Sequence, residues 1–435
     1  MSEKTFAIAT LGCKVNQYES EAITEALEKQ GWVLRSINEP CTAYIINTCT
    51  VTAESDRKAR QAIRRAMSKN PEAFVLVTGC YSQTSPEAIC SIAGVDYVCG
   101  TSNKMSIVDK LCELVAVGEK NENPEVCVQG LDGAGFEYMS IERFDRTRAY
   151  VKIQDGCESR CTYCTIPAAR GPVRSKPVEV ILCEVRGLIE RGCREVVLTG
   201  IETGYFGKDL QNGGDLPSLL EKIDSIQGEF RVRLGSLDPS IIRPDFVDKI
   251  KHLKHLAPHF HLSMQSGSDK ILAKMKRKYN SRQALASMQL LRDALPTVEF
   301  TTDIIVGFPG ESEENYLETE KFIEQAGFLM VHVFPYSKRK GTPAADMKDQ
   351  LPEGVKHERV ISLSQKVQNI RSGILDGLVG SSAEVLFESQ SGGYIFGHTP
   401  EFVEVKVKSE ENLHAQQRRV KIISHNGEVC LGEII

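Results

Sequence analysis

Cys157-Glu158-Ser159-Arg160-Cys161-Thr162-Tyr163-Cys164 places three cysteines within eight residues, at spacing C-x3-C-x2-C. The segment follows Ala149–Gln154, a short run that reads as a β-strand. Three thiolates on one tight loop can face a common centre, and they suit a soft metal or an iron–sulfur cluster. A closed structural zinc site needs four ligands, and this loop supplies three. A cluster held by three cysteines keeps one iron open for a further ligand. The alternative is buried packing cysteines, or a zinc knuckle lacking its fourth ligand.

Outward from this loop toward the C-terminus, strands alternate with helices. Tyr150–Gln154, Glu195–Thr199, Arg231–Leu234, His259–Ser263, Glu299–Val306 and Met330–Phe334 read as strands. Six strand–helix units predict a partial parallel barrel, whose chemistry belongs at the carboxyl ends of the strands. The cysteine loop lies at the first such end. Gly200 and Glu202 lie at the second, Ser236 at the third, Gln265 at the fourth and Gly307 at the fifth. Glycine there lets backbone amides approach a small cofactor.

Toward the N-terminus the same alternation predicts an open parallel sheet with helices on both faces, over residues 3–117. Cys13, Cys49 and Cys80 each fall just past a strand, in Leu11-Gly12-Cys13, Asn47-Thr48-Cys49 and Thr78-Gly79-Cys80. Loops at the carboxyl ends of parallel strands share one edge, so these cysteines converge as a second three-thiol site. The competing reading is small buried residues at strand ends. Cys99 also follows a strand, while Cys41, Cys90 and Cys112 read as packing residues. The helix across Asp56–Lys69 carries Arg57, Lys58, Arg60, Arg64, Arg65 and Lys69, either a solvated face or a contact for RNA phosphates.

Residues 118–145 read as a linker, rich in turn signals such as Asp132-Gly133-Ala134-Gly135. The barrel core is assigned to 146–375, ending in a polar helix after Pro352. Residues 376–435 hold five short strands, which predicts a small antiparallel β-barrel carrying Lys406, Lys408, Arg418, Arg419 and Lys421.

The 435 residues have room for two or three domains, and 41% hydrophobic with 26% charged residues is ordinary for a soluble protein. A net charge of −5 argues against indiscriminate nucleic-acid binding but allows a local basic patch. Fourteen cysteines in so long a chain point to metal chemistry in a reducing compartment rather than a disulfide scaffold. No signal peptide or membrane span is visible, so a cytoplasmic location and no membrane partner are expected.

Taken together, LGCKVNQYES, NTCTVT, VTGCYSQ, DGCESRCTYCTIPAARGPVRSKP, HLSMQSGSD, TTDIIVGFPGE and GHTPEFVEVKV resemble the methylthiotransferases, a branch of the radical S-adenosylmethionine (radical SAM) enzymes. The resemblance covers nearly the whole chain and makes the C-terminal barrel a TRAM domain, the family's RNA-binding module. It implies two [4Fe–4S] clusters, one on Cys157, Cys161 and Cys164 and an auxiliary one on Cys13, Cys49 and Cys80. It implies S-adenosylmethionine beside Tyr163, Gly200 and Glu202, with Gln265 and Gly307 as further contacts. It also implies tRNA as partner and a reducing electron donor of the flavodoxin or ferredoxin type. NTCTVTAESDRKAR and HVFPYSKRKGTPA look most like the branch acting on N6-threonylcarbamoyladenosine next to the anticodon. Alternatives are isopentenyladenosine in tRNA, a ribosomal-protein aspartate, or a non-enzymatic iron–sulfur protein. A threonylcarbamoyl carboxylate needs a cation, for which the run Lys338-Arg339-Lys340 at the end of the sixth barrel strand, Lys338 and Arg339 above all, is expected; the alternative is that these cations touch only tRNA phosphates.

Overall fold

The computed structural model describes residues 3–120, 122–144, 147–211 and 214–435. The expected linker–core boundary at 145–146 lies outside them.

The N-terminal sheet contains β1 (Thr5–Thr10), β2 (Val33–Leu34), β3 (Ala43–Thr48), β4 (Phe74–Gly79), β5 (Tyr97–Cys99) and β6 (Glu125–Cys127), all parallel, in the order β2-β1-β3-β4-β5-β6. β3 and β4 are buried along their whole length, as near-continuous apolar runs covered on both faces must be. Chain order reverses at β1 and β3, so the crevice past their carboxyl ends is the topological switch point. α1 (Lys14–Lys29) starts there directly after Cys13. α2 (Ala53–Lys69) starts after Cys49, capped by Thr52, whose hydroxyl accepts from the Ser55 amide.

β6 falls inside the segment expected to be a linker and adds a sixth strand to this sheet. The rest of that segment is a strap. The Tyr18 hydroxyl and Lys176 ammonium both donate to the Met139 carbonyl, and the Ile141 amide donates to Glu184. Met139 and Ile141 are buried in the same apolar core as the barrel helices.

The central half-barrel pairs β7 (Arg148–Lys152), β10 (Glu195–Thr199) and β11 (Arg231–Leu234) in one parallel sheet, and β12 (His259–Gln265), β13 (Glu299–Val306) and β14 (Met330–Pro335) in another. Single bridges, Val232 to Leu256 and Leu237 to Leu262, join the halves. A small ribbon, β8 (Gln154–Asp155) with β9 (Arg174–Ser175), flanks the cysteine loop. Alternation sorts the faces. Val151, Leu198, Phe260, Leu262 and Ile304 pack outward under the helices, leaving His261, Ser263 and Asp303 toward the lumen. α1 packs beside β7, so the N-terminal domain stands at the open side of the half-barrel.

β15 (Ser382–Ser391), β16 (Tyr394–His398), β17 (Glu404–Lys408), β18 (Gln417–His425) and β19 (Cys430–Ile434) close a barrel around Val385, Phe387, Val405 and Ile422. It is antiparallel apart from the parallel β17–β19 pair. This barrel docks at the amino ends of the central strands. Arg231 donates to the His398 carbonyl at 3.0 Å and Arg233 to that of Pro400 at 2.9 Å. Phe402 stacks on His259, with ring centres 4.7 Å apart.

Candidate active site

Cys157, Cys161 and Cys164 line one cavity of about 320 Å³ at the carboxyl ends of the barrel strands. Tyr163, Glu202, Gln265 and Arg277 share its wall, and Val51 and Thr52, just past Cys49, reach it from the N-terminal domain. Gly200 and Gly307 do not line it. A Cβ on Gly200 would meet the Gln154 side chain, and Gly307, at φ +71°, packs against Lys356 of the long C-terminal helix. Gln265 holds a left-handed φ of 69° where the β12–β13 register shifts, a bend that sets its side chain at the cavity wall.

Each sulfur of this loop accepts one hydrogen bond. The Ser159 amide donates to Cys157 and the Ile166 amide to Cys164, both at 3.4 Å, and the Arg277 guanidinium donates to Cys161 at 3.2 Å. Arg277 is itself held by Asp238 at 2.8 Å. Burial pushes the Cys164 thiol up to about 12, and the neighbouring Cys161 and Cys157 add to the rise. Burial also pushes the Glu202 carboxyl up to about 7, with Asp238 adding to it.

The other three cysteines meet at the switch point. Gly12, at φ +100°, leaves room for Cys49, whose sulfur would lie 2.7 Å from a Cβ placed there. Burial raises the thiols of Cys13 and Cys49, the latter to about 11, and Cys80 raises both further. Cys13 accepts from the Asn16 backbone and Cys49 from that of Val51. Arg170 Nε donates to the Cys80 sulfur at 3.3 Å.

Arg170 belongs to the barrel domain, six residues past Cys164, and is fully buried. Its guanidinium also binds Glu19 at 2.7 Å, Asp155 at 3.1 Å and the Asn16 side chain. Lys104 and Lys152 complete the shell around Glu19. Burial alone would raise the Glu19 carboxyl, but Arg170, Lys104 and Lys152 outweigh it and hold it well below the usual range. The amide of Cys157 donates to the carbonyl of Gly171, next to Arg170. The two triads are therefore linked through adjacent residues.

Six thiols, grouped in threes, buried or facing an internal cleft and each given a hydrogen-bond donor, fit anionic sulfur bound to positive metal. Among the described residues no three Cys, His, Asp or Glu side chains gather tightly enough to enclose a single metal ion.

Arg339 is not free for a substrate. It binds Asp56 and Thr50, both at 2.7 Å, and ties the loop after β14 to α2. Lys338 and Lys340 are exposed outside the cavity. Arg170, Arg277 and Lys14 escaped sequence reading. Lys14, next to Cys13 in the chain, is accessible, with Arg148, Arg233, Glu195 and Asp303 within electrostatic reach. Reduced solvation and the two guanidiniums hold its pKa below the ordinary lysine value.

Residues 151–323 match the radical SAM superfamily, and residues 5–100 match the uncharacterized protein family UPF0004. The threonylcarbamoyladenosine tRNA methylthiotransferase MtaB of Bacillus subtilis (strain 168) is 39% identical, over 96% of this chain and 94% of that protein. The Thermotoga maritima protein of the same name is 36% identical, over 99% and 98%. The tRNA-2-methylthio-N(6)-dimethylallyladenosine synthase of Carboxydothermus hydrogenoformans is also 36% identical, over 100% and 96%. In fold the chain is similar to the radical S-adenosylmethionine methyltransferase TsrM of Kitasatospora setae, with a TM-score of 0.58 at 13% identity, over 79% of this chain and 77% of that one. Full-length likeness at these identities, on a half-barrel with a cysteine loop at its mouth, places the chain in the radical SAM tRNA methylthiotransferase family.

Proposed function

We propose that the protein converts N6-threonylcarbamoyladenosine of tRNA, next to the anticodon, to its 2-methylthio derivative. The observation that carries the reading is the pairing of two three-thiol groups from two domains, joined through Arg170, which donates to Cys80, and the adjoining Gly171, which accepts from Cys157. Cys157, Cys161 and Cys164 would hold one [4Fe–4S] cluster, and Cys13, Cys49 and Cys80 the other. S-adenosylmethionine would fill the cavity beside Tyr163, Glu202 and Gln265. Bound there, these groups supply one-electron chemistry together with the methyl and sulfur that end on carbon 2 of the adenine.

The chain's own residues position and shield. No side-chain base removes an aromatic C–H proton at neutral pH, so the residues around the cavity serve to bind and exclude water. Tyr163 contacts Phe308 edge-on, with ring centres 6.4 Å apart, and closes the floor beside the cysteine loop. Arg277, anchored by Asp238, fixes the side of the cavity where Cys161 stands. The electron comes from an external reducing protein of the flavodoxin or ferredoxin type.

The choice of threonylcarbamoyladenosine is supported by the likeness to relatives of that name, which reach 39% against 36% for the dimethylallyladenosine synthase cited above. The test is mass spectrometry of nucleosides from tRNA incubated with reconstituted protein, S-adenosylmethionine and reductant. A 2-methylthio product from threonylcarbamoyl tRNA alone supports the reading. A product from dimethylallyl tRNA alone overturns it.

A further inference from the structure

A threonylcarbamoyl group brings a carboxylate into the cleft, and a carboxylate removed from water without a partner is costly. The cations around the lumen are almost all engaged. Arg148 binds Glu388 at 2.6 Å, Arg233 binds Glu195 at 2.8 Å, Arg277 binds Asp238 and Arg339 binds Asp56. Lys152 lies in the buried shell around Glu19.

Lys14 differs. It is accessible, and among the described residues it makes no hydrogen bond or ion pair, although Asp303 and Glu195 lie within electrostatic reach. Asp303 is instead turned toward His261, at 3.4 Å. Lys14 opens α1 directly after Cys13, and α1 packs beside β7 at the open side of the half-barrel. His332 and Phe334, both exposed on β14, belong to the other side, and His332 is paired in register with Asp303.

We infer that Lys14 takes the carboxylate of the threonylcarbamoyl group and so selects this adenosine over one with an apolar N6 substituent. The inference rests on the substrate reading above. The ammonium gives a charge-assisted hydrogen bond to the carboxylate. A bound carboxylate would also offset the positive field of Arg148 and Arg233. An apolar substituent would leave the ammonium unpaired, which is the repulsive half of selectivity.

The test is a binding cycle on the full-length protein with both clusters reconstituted. One probe is tRNA carrying threonylcarbamoyladenosine, and the other is the same tRNA with that carboxylate masked as its methyl ester. Masking should weaken wild-type binding about 30-fold, the low end for breaking a desolvated charge pair. For Lys14→Gln the two tRNAs should bind within about twofold of each other. Lys14→Arg should keep the preference for the acid, and Lys14→Glu should reverse it toward the ester. Equal loss on masking in wild type and Lys14→Gln, or no reversal in Lys14→Glu, overturns the inference. If wild type modifies only dimethylallyl tRNA, the substrate reading has failed. If it modifies threonylcarbamoyl tRNA without coupling in the cycle, only the role of Lys14 has failed.

Discussion

Arg170 of the barrel domain donates a hydrogen bond to the sulfur of Cys80 in the N-terminal domain, at 3.3 Å. The same guanidinium satisfies Glu19 and Asp155, both buried. Arg170→Met should therefore cost about 3–5 kcal/mol, the usual result of removing one partner from a buried ionic network. Arg170→Lys should cost less, because a charge remains, but it cannot fork to two carboxylates and a sulfur. Urea denaturation measures both. A loss below about 1 kcal/mol for Arg170→Met would show the network to be dispensable.

Cysteine replacement separates the two triads. Wild-type protein reconstituted without oxygen should hold about eight irons. Ala at Cys157, Cys161 and Cys164 should leave about four irons and no 5′-deoxyadenosine from S-adenosylmethionine. Ala at Cys13, Cys49 and Cys80 should leave about four irons and retain 5′-deoxyadenosine while methylthio transfer stops. About four irons in the wild type would refute the two-cluster assignment.

Basic residues on α2 are expected to meet RNA phosphates, because α2 begins at the cavity rim. Lys58 and Arg64 are exposed, with no ion pair among the described residues. Charge reversal of both should weaken tRNA binding and flatten its salt dependence by about 0.7–0.9 per lost contact. Lys254 lies near the amino end of β12, away from the mouth. Lys254→Glu serves as the control, and an equal effect there would reduce the role of α2 to net charge.

Glu195 gives a pH-dependent prediction. Burial alone would raise its carboxyl, but Arg233 and Arg231 outweigh this and hold it well below the ordinary carboxylate range. A carboxylate depressed in the folded state contributes stability that is present above its unfolded pKa of about 4.3 and is lost as pH falls toward the folded value. Glu195→Gln should lower stability at pH 7, and the gap from wild type should narrow as pH drops below about 5. A gap that stays constant from pH 7 to pH 3 would exclude this linkage.

Cys13, Cys49 and Cys80 could be placed on one edge because each sits just past a strand of a parallel sheet, and Cys157, Cys161 and Cys164 could be grouped because they share one loop. The five strands of the C-terminal barrel were legible from their alternation. Arg170 was not, since Ala-Arg-Gly-Pro reads only as a turn until Cys80 is brought beside it. The strap around Met139 was hidden for a related reason, because its partners Tyr18, Lys176 and Glu184 are distant in sequence and it has no period of its own. Arg339 misled for the opposite reason. A basic run beside a predicted mouth looks available, and only the fold reveals that Asp56 already occupies it.

The helix Glu353–Asp376 has 24 residues, which at 1.5 Å each span about 36 Å. Its first turn packs Lys356 against Gly307 at the cavity end of β13, and its last turn buries Leu375 in the core of the C-terminal barrel. It therefore acts as a measuring rod between the cavity and the C-terminal barrel. Its length is checked independently where Arg231 and Arg233 grip the carbonyls of His398 and Pro400. Adding one turn would displace the barrel by about 5.4 Å and rotate it off that grip. A tRNA touching both the cavity and the C-terminal barrel would have to match a fixed span, so distance along the nucleic acid would become a second criterion of selection beside the chemistry of the modified base.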